Sequence, residues 1–147
     1  MIAIGCDHGG FELKEAVKKH LDERKIEYID FGTYSEESVD YTVYAEKVAK
    51  SVVAGESELG LLFCGTGIGM SMAANKVRGI RAACCSDAFS AEMTRTHNDA
   101  NVLCVGGRVI SCEKAVELCD LFIDTPFSND ERHIRRINQI KAMEERF

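Results

Sequence analysis

Apolar positions along the chain switch between two periods. MIAIGC (1–6) is a short apolar run, while FELKEAVKKHLDERK (11–25) places Leu13, Ala16, Val17, His20 and Leu21 at helical spacing, with charges elsewhere. The exchange then repeats. IEYIDFG (26–32) reads as a strand, and VDYTVYAEKVAKSVVAG (39–55) as a helix stopped by Gly55. LGLLFCG (59–65) is almost wholly apolar, as a strand buried on both faces should be. GIGMSMAANKV (67–77) reads as a short helix opened by glycines, GIRAACC (79–85) as a strand, DAFSAEMTRTHN (87–98) as a helix with Asp87 near its start, and NVLCVGG (101–107) as a strand. CEKAVELCDLFID (112–124) and DERHIRRINQIKAMEERF (130–147) read as two closing helices around a loop at Pro126. Five strands alternating with helices predict an α/β fold, a parallel sheet with helices on both faces. Ligands in such folds gather at the C-terminal ends of the strands.

A chain of 147 residues predicts one domain over 1–147. Its last helix, about 130–147, can pack on its own sheet or reach across to a second subunit. No apolar run approaches the ~18 residues of a membrane span. The start lacks a basic region before its apolar stretch, so no signal peptide is expected. A net charge of −6 argues against general nucleic-acid binding. RHIRR at 132–136 is a local exception that suits a small anion. The seven cysteines are odd in number and irregular in spacing, with no CxxC; five lie in apolar, strand-like runs. They are expected to be buried free thiols in a reducing compartment, the cytoplasm, and to form no zinc site.

The candidate chemistry follows the expected strand ends: CDHGG after the first, CGTGIG after the third, VGGR after the fifth, and THND closing the helix after the fourth. CGTGIG carries Gly65, Gly67 and Gly69. Met70 stands where a dinucleotide fingerprint needs Gly, and no Gly-Lys-Ser/Thr follows. Such glycines admit a ligand close to the backbone, and N–H groups at the following helix start can cradle an oxyanion, a phosphate or a developing enediolate. A tight turn with no ligand is the plain alternative. Cys64 ends the third strand beside this cradle, where a helix N-terminus favours thiolate over thiol. His97 can carry a proton near neutral pH, against the plain reading of a solvated histidine. Asp7 and His8 follow the first strand to the same edge. Arg132 and Arg136, four apart on one helix face, fit a phosphate or form a solvated face.

From residues alone two readings stand. One is an enzyme on a small phosphorylated metabolite, using a glycine-cradled thiolate, a histidine and an arginine pair, with sugar-phosphate isomerisation fitting that inventory. The other is a non-catalytic phosphate-ligand module of receiver type, weakened by Cys64 and Gly106-Gly107 where a receiver needs Asp and Lys. A thiol phosphatase would need an arginine five residues after its cysteine, near Met70.

GCDHGGFELK, DFGT (30–33), CGTGIGMSMAANKVRGIRAA (64–83), HNDANVL (97–103) and GGRV (106–109) resemble the ribose-5-phosphate isomerase type B family, which also includes allose-6-phosphate and galactose-6-phosphate isomerases. The resemblance spans essentially the whole chain. It implies a three-layer Rossmann-like sandwich, a homodimer or dimer of dimers with active sites shared between subunits, a sugar-phosphate substrate and a place in the pentose phosphate pathway. No metal or other cofactor, nucleic acid or membrane is implied. Residue by residue, Cys64 matches the base moving the proton between C1 and C2, and His97 the acid that opens the furanose ring. Asp7 and His8 match ring and phosphate-side contacts. Gly65, Thr66, Gly67, Ile68 and Gly69 match the oxyanion cradle, and Asn98, Arg108, Arg132 and Arg136 further substrate contacts, the arginines chiefly to phosphate. Family members without the cysteine carry Glu in the loop where this chain has Ile68. The histidine of HND argues for the ribose enzyme over galactose-6-phosphate isomerase subunits, and allose 6-phosphate or another hexose 6-phosphate is the alternative substrate. Thr42 departs from the usual Tyr-Pro after Asp40, a change expected to loosen the loop around Tyr41.

Overall fold

The computed structural model describes residues 1–147 as one sheet between two helical layers. The strands are β1 (Ile2–Cys6), β2 (Tyr28–Asp30), β3 (Leu59–Cys64), β4 (Ala82–Cys84) and β5 (Val102–Gly106). The helices are α1 (Phe11–Glu23), α2 (Tyr41–Val53), α3 (Ile68–Ala74), α4 (Ala88–Thr96), α5 (Cys112–Asp124) and α6 (Glu131–Arg146). All four ladders are parallel, in the order β2-β1-β3-β5-β4.

Alternation along the buried strands divides the core. Ile2, Ile4, Leu61, Phe63, Leu103 and Val105 pack with Leu13, Val17 and Leu21 of α1 and Leu118 and Phe122 of α5. Ala3, Leu62, Cys64, Val102 and Cys104 face α2 and α3, against Val48, Met70 and Ala74. A strand buried on both faces needs no polar side, which is why LGLLFC reads as an unbroken apolar run.

Two strands are shorter than their sequence runs suggest, and both lie at a sheet edge. Before β4, the N–H groups of Gly79 and Arg81 are taken by Glu144 Oε1 (2.9 Å) and Asn101 Oδ1 (2.8 Å) rather than by a ladder. Asn75, just past α3, bonds both the N–H and the C=O of Ala82 (2.8 and 3.0 Å) and so occupies the place of a further strand. The remaining ends agree closely with the pattern. Asp87 caps α4 by accepting from Ser90 N at 2.8 Å, and Gly55, at φ +79°, follows α2. The last helix lies along its own chain, where Glu144 and Glu145 reach Gly79 and Arg78; His133 and Ile137 are its only buried residues. All seven cysteines are unpaired. No helix is long and apolar enough to cross a membrane.

Candidate active site

The C-terminal ends of β1, β3 and β5 meet in three glycine-bearing turns. Asp7, buried, accepts from Gly9 N (2.9 Å) and Gly10 N (3.2 Å) and folds the chain into one 3-10 turn over His8–Gly10. The turn after β3 crosses beneath it. Gly107 N donates to Cys64 O (2.8 Å) and Arg108 N to Gly65 O (2.9 Å), which ties the β5 turn to the β3 turn. The Arg108 guanidinium lies over Gly65, where a side-chain Cβ would sit only 3.1 Å from Nη1. His8, Gly9, Gly107 and Arg108, with Glu12 and Ser111, line a cavity of about 420 Å³ at this edge.

Cys64 ends β3 and is buried, and its Sγ accepts the Gly67 N–H at 3.0 Å. Gly67 reaches that position at φ +83°, a conformation costly for any residue with a Cβ. The N–H groups of Gly65, Thr66 and Gly69 find no acceptor within the chain, whereas Ile68 N is held by Thr66 Oγ1 at 3.2 Å. A sulfur that accepts one backbone N–H beside three unengaged ones is suited to taking a proton next to a carbonyl whose oxygen becomes negative. Among the other thiols, Cys84 is exposed rather than buried as expected and donates to Thr66 O at 3.6 Å, and desolvation and the neighbouring Cys64 hold it above the ordinary thiol range. Burial pushes Cys6 and Cys85 up to about 11, and Cys104 and Cys119 further, so they remain protonated at neutral pH.

The ring of Tyr41, first residue of α2, covers Gly69 so closely that a Cβ there would stand 2.7 Å from Cζ. Thr42 lies in the first turn of this helix. Tyr41 was not among the residues expected at the site; an aromatic directly after a helix-capping Asp was the available signal. His8 is fixed through Nδ1, which accepts from Val39 N at 3.2 Å, and Nε2 stays free to face a ligand.

His97 does not join this group within the chain, contrary to the expectation that THND gathers with the strand ends. A helix between two parallel strands runs antiparallel to them, so α4 ends beside the start of β5, at the opposite edge. Arg81, just before β4, donates to Asn98 O (3.1 Å) and Asp99 O (2.8 Å). Five residues of strand, roughly 17 Å, separate the edges. At this second edge the His97 ring stacks on His133, with centroids 4.3 Å apart and planes 18° from parallel. Ser128 N donates to Thr96 O (3.2 Å), bringing the start of α6, with Arg132 and Arg136, beside His97. Asp7, His8, Cys64 to Gly69 and Arg108 thus form one cluster, and His97, Asn98, Arg132 and Arg136 another. No three His, Cys, Asp or Glu side chains converge in a geometry that could hold a metal ion.

The sequence profile described as ribose/galactose isomerase matches residues 2–140. The chain is 48% identical to ribose-5-phosphate isomerase B of Escherichia coli, over 99% of this chain and 97% of that protein. It superposes on a ribose-5-phosphate isomerase B from Clostridium thermocellum with a TM-score of 0.96 at 46% identity, covering 99% and 97% of the two chains. The Mycoplasma genitalium ribose-5-phosphate isomerase B, solved with bound ribulose-5-phosphate, superposes with a TM-score of 0.93 at 36% identity, covering 99% and 97%.

Proposed function

Because the chain belongs to the ribose/galactose isomerase family, we propose that it interconverts ribose 5-phosphate and ribulose 5-phosphate, with Cys64 and His97 as its proton carriers. The observation that carries this reading is the Gly67 N–H on Cys64 Sγ beside the open N–H groups of the same turn.

In the first step His97 gives a proton to the ring oxygen as the C1–O4 bond breaks, and the anomeric hydroxyl loses its proton to become the aldehyde oxygen. In the second, the Cys64 thiolate removes the proton from C2. The C–H electron pair forms the C1=C2 bond, and the negative charge settles on O1 against the unengaged N–H groups of Gly65, Thr66 and Gly69. O1 then gains a proton, O2 loses one, and the thiol returns its proton to C1, which leaves the 2-ketose and a regenerated thiolate. Asp7, His8 and Arg108 hold the sugar and the near side of the phosphate. Asn98 contacts the sugar, and Arg132 and Arg136 neutralise the phosphate. No metal or other cofactor enters these steps.

The separation of the two clusters supports a site shared between subunits of a homodimer, alone or paired into a dimer of dimers. A two-fold axis sets the Cys64 edge of one protomer against the His97 edge of its partner, and vice versa. Residues 1–147 act as one isomerase domain, with the start of α6 serving the neighbouring site. Seven unpaired thiols suit a reducing compartment, and we place the protein in the cytoplasm, on the pentose phosphate pathway.

The test is kcat/KM for ribose 5-phosphate against allose 6-phosphate. A higher value for the pentose is expected. A clear preference for allose 6-phosphate would move the protein to the hexose branch, and turnover of neither would overturn the reading.

A further inference from the structure

We infer that His133 is a positioning residue for ring opening: its neutral imidazole stacks on His97, fixes the orientation of that ring and leaves His97 to carry the proton. The inference rests on the reading of His97 as the ring-opening acid.

Four observations support it. The stack is close and nearly parallel, at 4.3 Å and 18°. His133 is the one buried polar side chain on a helix that otherwise buries only Ile137, so its face of α6 is committed to this contact. Arg132 Nη2 lies 3.4 Å from His133 Nε2. A guanidinium can only donate, so Nε2 accepts and the ring proton is assigned to Nδ1, which makes the imidazole neutral. Finally, the chain beyond His97 is rigid. Asp99 sits at φ +45°, with its Oδ1 on Arg95 (2.9 Å) and its carbonyl on Arg81 (2.8 Å). The backbone of His97 is clamped from one side, and its ring is seated from the other.

The charges around His133 favour the same arrangement. Burial pushes it toward the neutral form, and so do His97 from the end of α4 and Arg132 and Arg136 from its own helix; only Asp130 opposes them. Two stacked imidazolium rings would repel, whereas one imidazolium over a neutral ring is attracted by the π face. Two charged rings in this stack are therefore disfavoured, and His97, half-buried, is the more accessible of the two.

The experiment compares His97→Asn, His133→Ala and His133→Phe on two substrates, ribose 5-phosphate and 4-deoxyribose 5-phosphate, which lacks the hydroxyl needed to close a furanose. His133→Ala should lose roughly 10- to 100-fold in kcat on ribose 5-phosphate and less than about twofold on the deoxy sugar, because only the first needs its ring opened. His133→Phe keeps a stacking face without nitrogen and should recover most of that loss. If His97→Asn is selective for the cyclic substrate and His133→Ala is not, the role of His133 is overturned while ring opening by His97 stands. Equal losses on both substrates for His97→Asn would overturn both. A phenylalanine variant as poor as the alanine one would exclude stacking as the cause. A merely structural role predicts parallel losses on the two sugars, and that result too would refute the inference.

Discussion

Cys64 and His97 stand at opposite edges of one sheet, separated by the length of β5. Neither side chain can span roughly 17 Å, so a reaction needing both draws them from two protomers. Random pairing of Cys64→Ala and His97→Asn chains yields half heterodimers, each with one doubly damaged site and one intact site. Mixing the two variants after unfolding and refolding together should therefore restore about a quarter of wild-type activity on ribose 5-phosphate. No gain on mixing would mean that each site is built within one chain.

Arg132 and Arg136 are exposed at the start of α6, and Arg132 meets one carboxylate, Asp130, at 3.7 Å, besides its 3.4 Å contact with His133 Nε2. Exposed pairs of this kind contribute little to folding. Replacing either arginine by alanine should raise KM for ribose 5-phosphate roughly 10- to 100-fold through a lost charge-assisted contact, and leave Tm nearly unchanged. Steady-state kinetics beside a thermal melt would decide it; an unaltered KM would remove that arginine from the phosphate site.

The alternating periods were enough to place every helix and strand, because helices facing a parallel sheet must carry a 3.6-residue stripe and buried strands an apolar run. They were not enough to place His97. Its position depends on which way α4 runs, and a residue at a helix end is carried to the far edge however close in sequence it lies to a strand. The glycine turn around Cys64 was legible because its backbone demands are local: Gly67 at positive φ, Gly69 beneath a ring. Lys14 was hidden. It is fully buried on α1, in the stripe formed with Val17 and Leu21, and its partners Asp30 and Thr33 lie 16 or more residues away. The stripe contained the signal, but a lysine in it reads as solvated until its counter-charge is found in space.

Lys14 also predicts acid lability. Its Nζ lies 2.8 Å from Asp30 Oδ1 and donates to Thr33 O, while Lys18 lies 2.8 Å from Asp30 Oδ2. Burial alone would raise the Asp30 carboxyl, but the hydrogen bonds from Lys14, Lys18 and Gly32 N outweigh it and hold the group below its ordinary value. A carboxyl depressed on folding contributes stability above its unfolded pKa, about 3.9, and loses that contribution as pH falls through the lower folded value. Urea midpoints should therefore fall below about pH 4 in the wild type and fall less steeply in Asp30→Asn. At neutral pH, Lys14→Met should destabilise by less than the about 3–5 kcal/mol of a fully orphaned buried charge, because Lys18 still lies 2.8 Å from Asp30 Oδ2. Matching acid slopes in the wild type and Asp30→Asn would show that other carboxylates control the transition.

The base itself is the sharpest test. Cys64 Sγ is the thiol that accepts a backbone N–H at the glycine turn, and burial holds Cys6, Cys85, Cys104 and Cys119 protonated at neutral pH. With Cys64 as the base, Cys64→Ala should lose turnover on ribose 5-phosphate and on 4-deoxyribose 5-phosphate alike, whereas removing the neighbouring thiol of Cys84, which donates to Thr66 O at 3.6 Å, should not. Cys64→Ser should fall by roughly 10²–10⁴-fold, since a hydroxyl ionises far less readily than a thiol near neutral pH. Both losses should fall on kcat, because neither substitution removes a charged group proposed to bind phosphate. Proton removal can be followed apart from net conversion by deuterium entry from solvent at C2, read by NMR. His97→Asn should still exchange on the ring-incapable sugar, where no ring has to open, and Cys64→Ala should exchange on neither. Exchange at the wild-type rate in Cys64→Ala would assign the base to another residue.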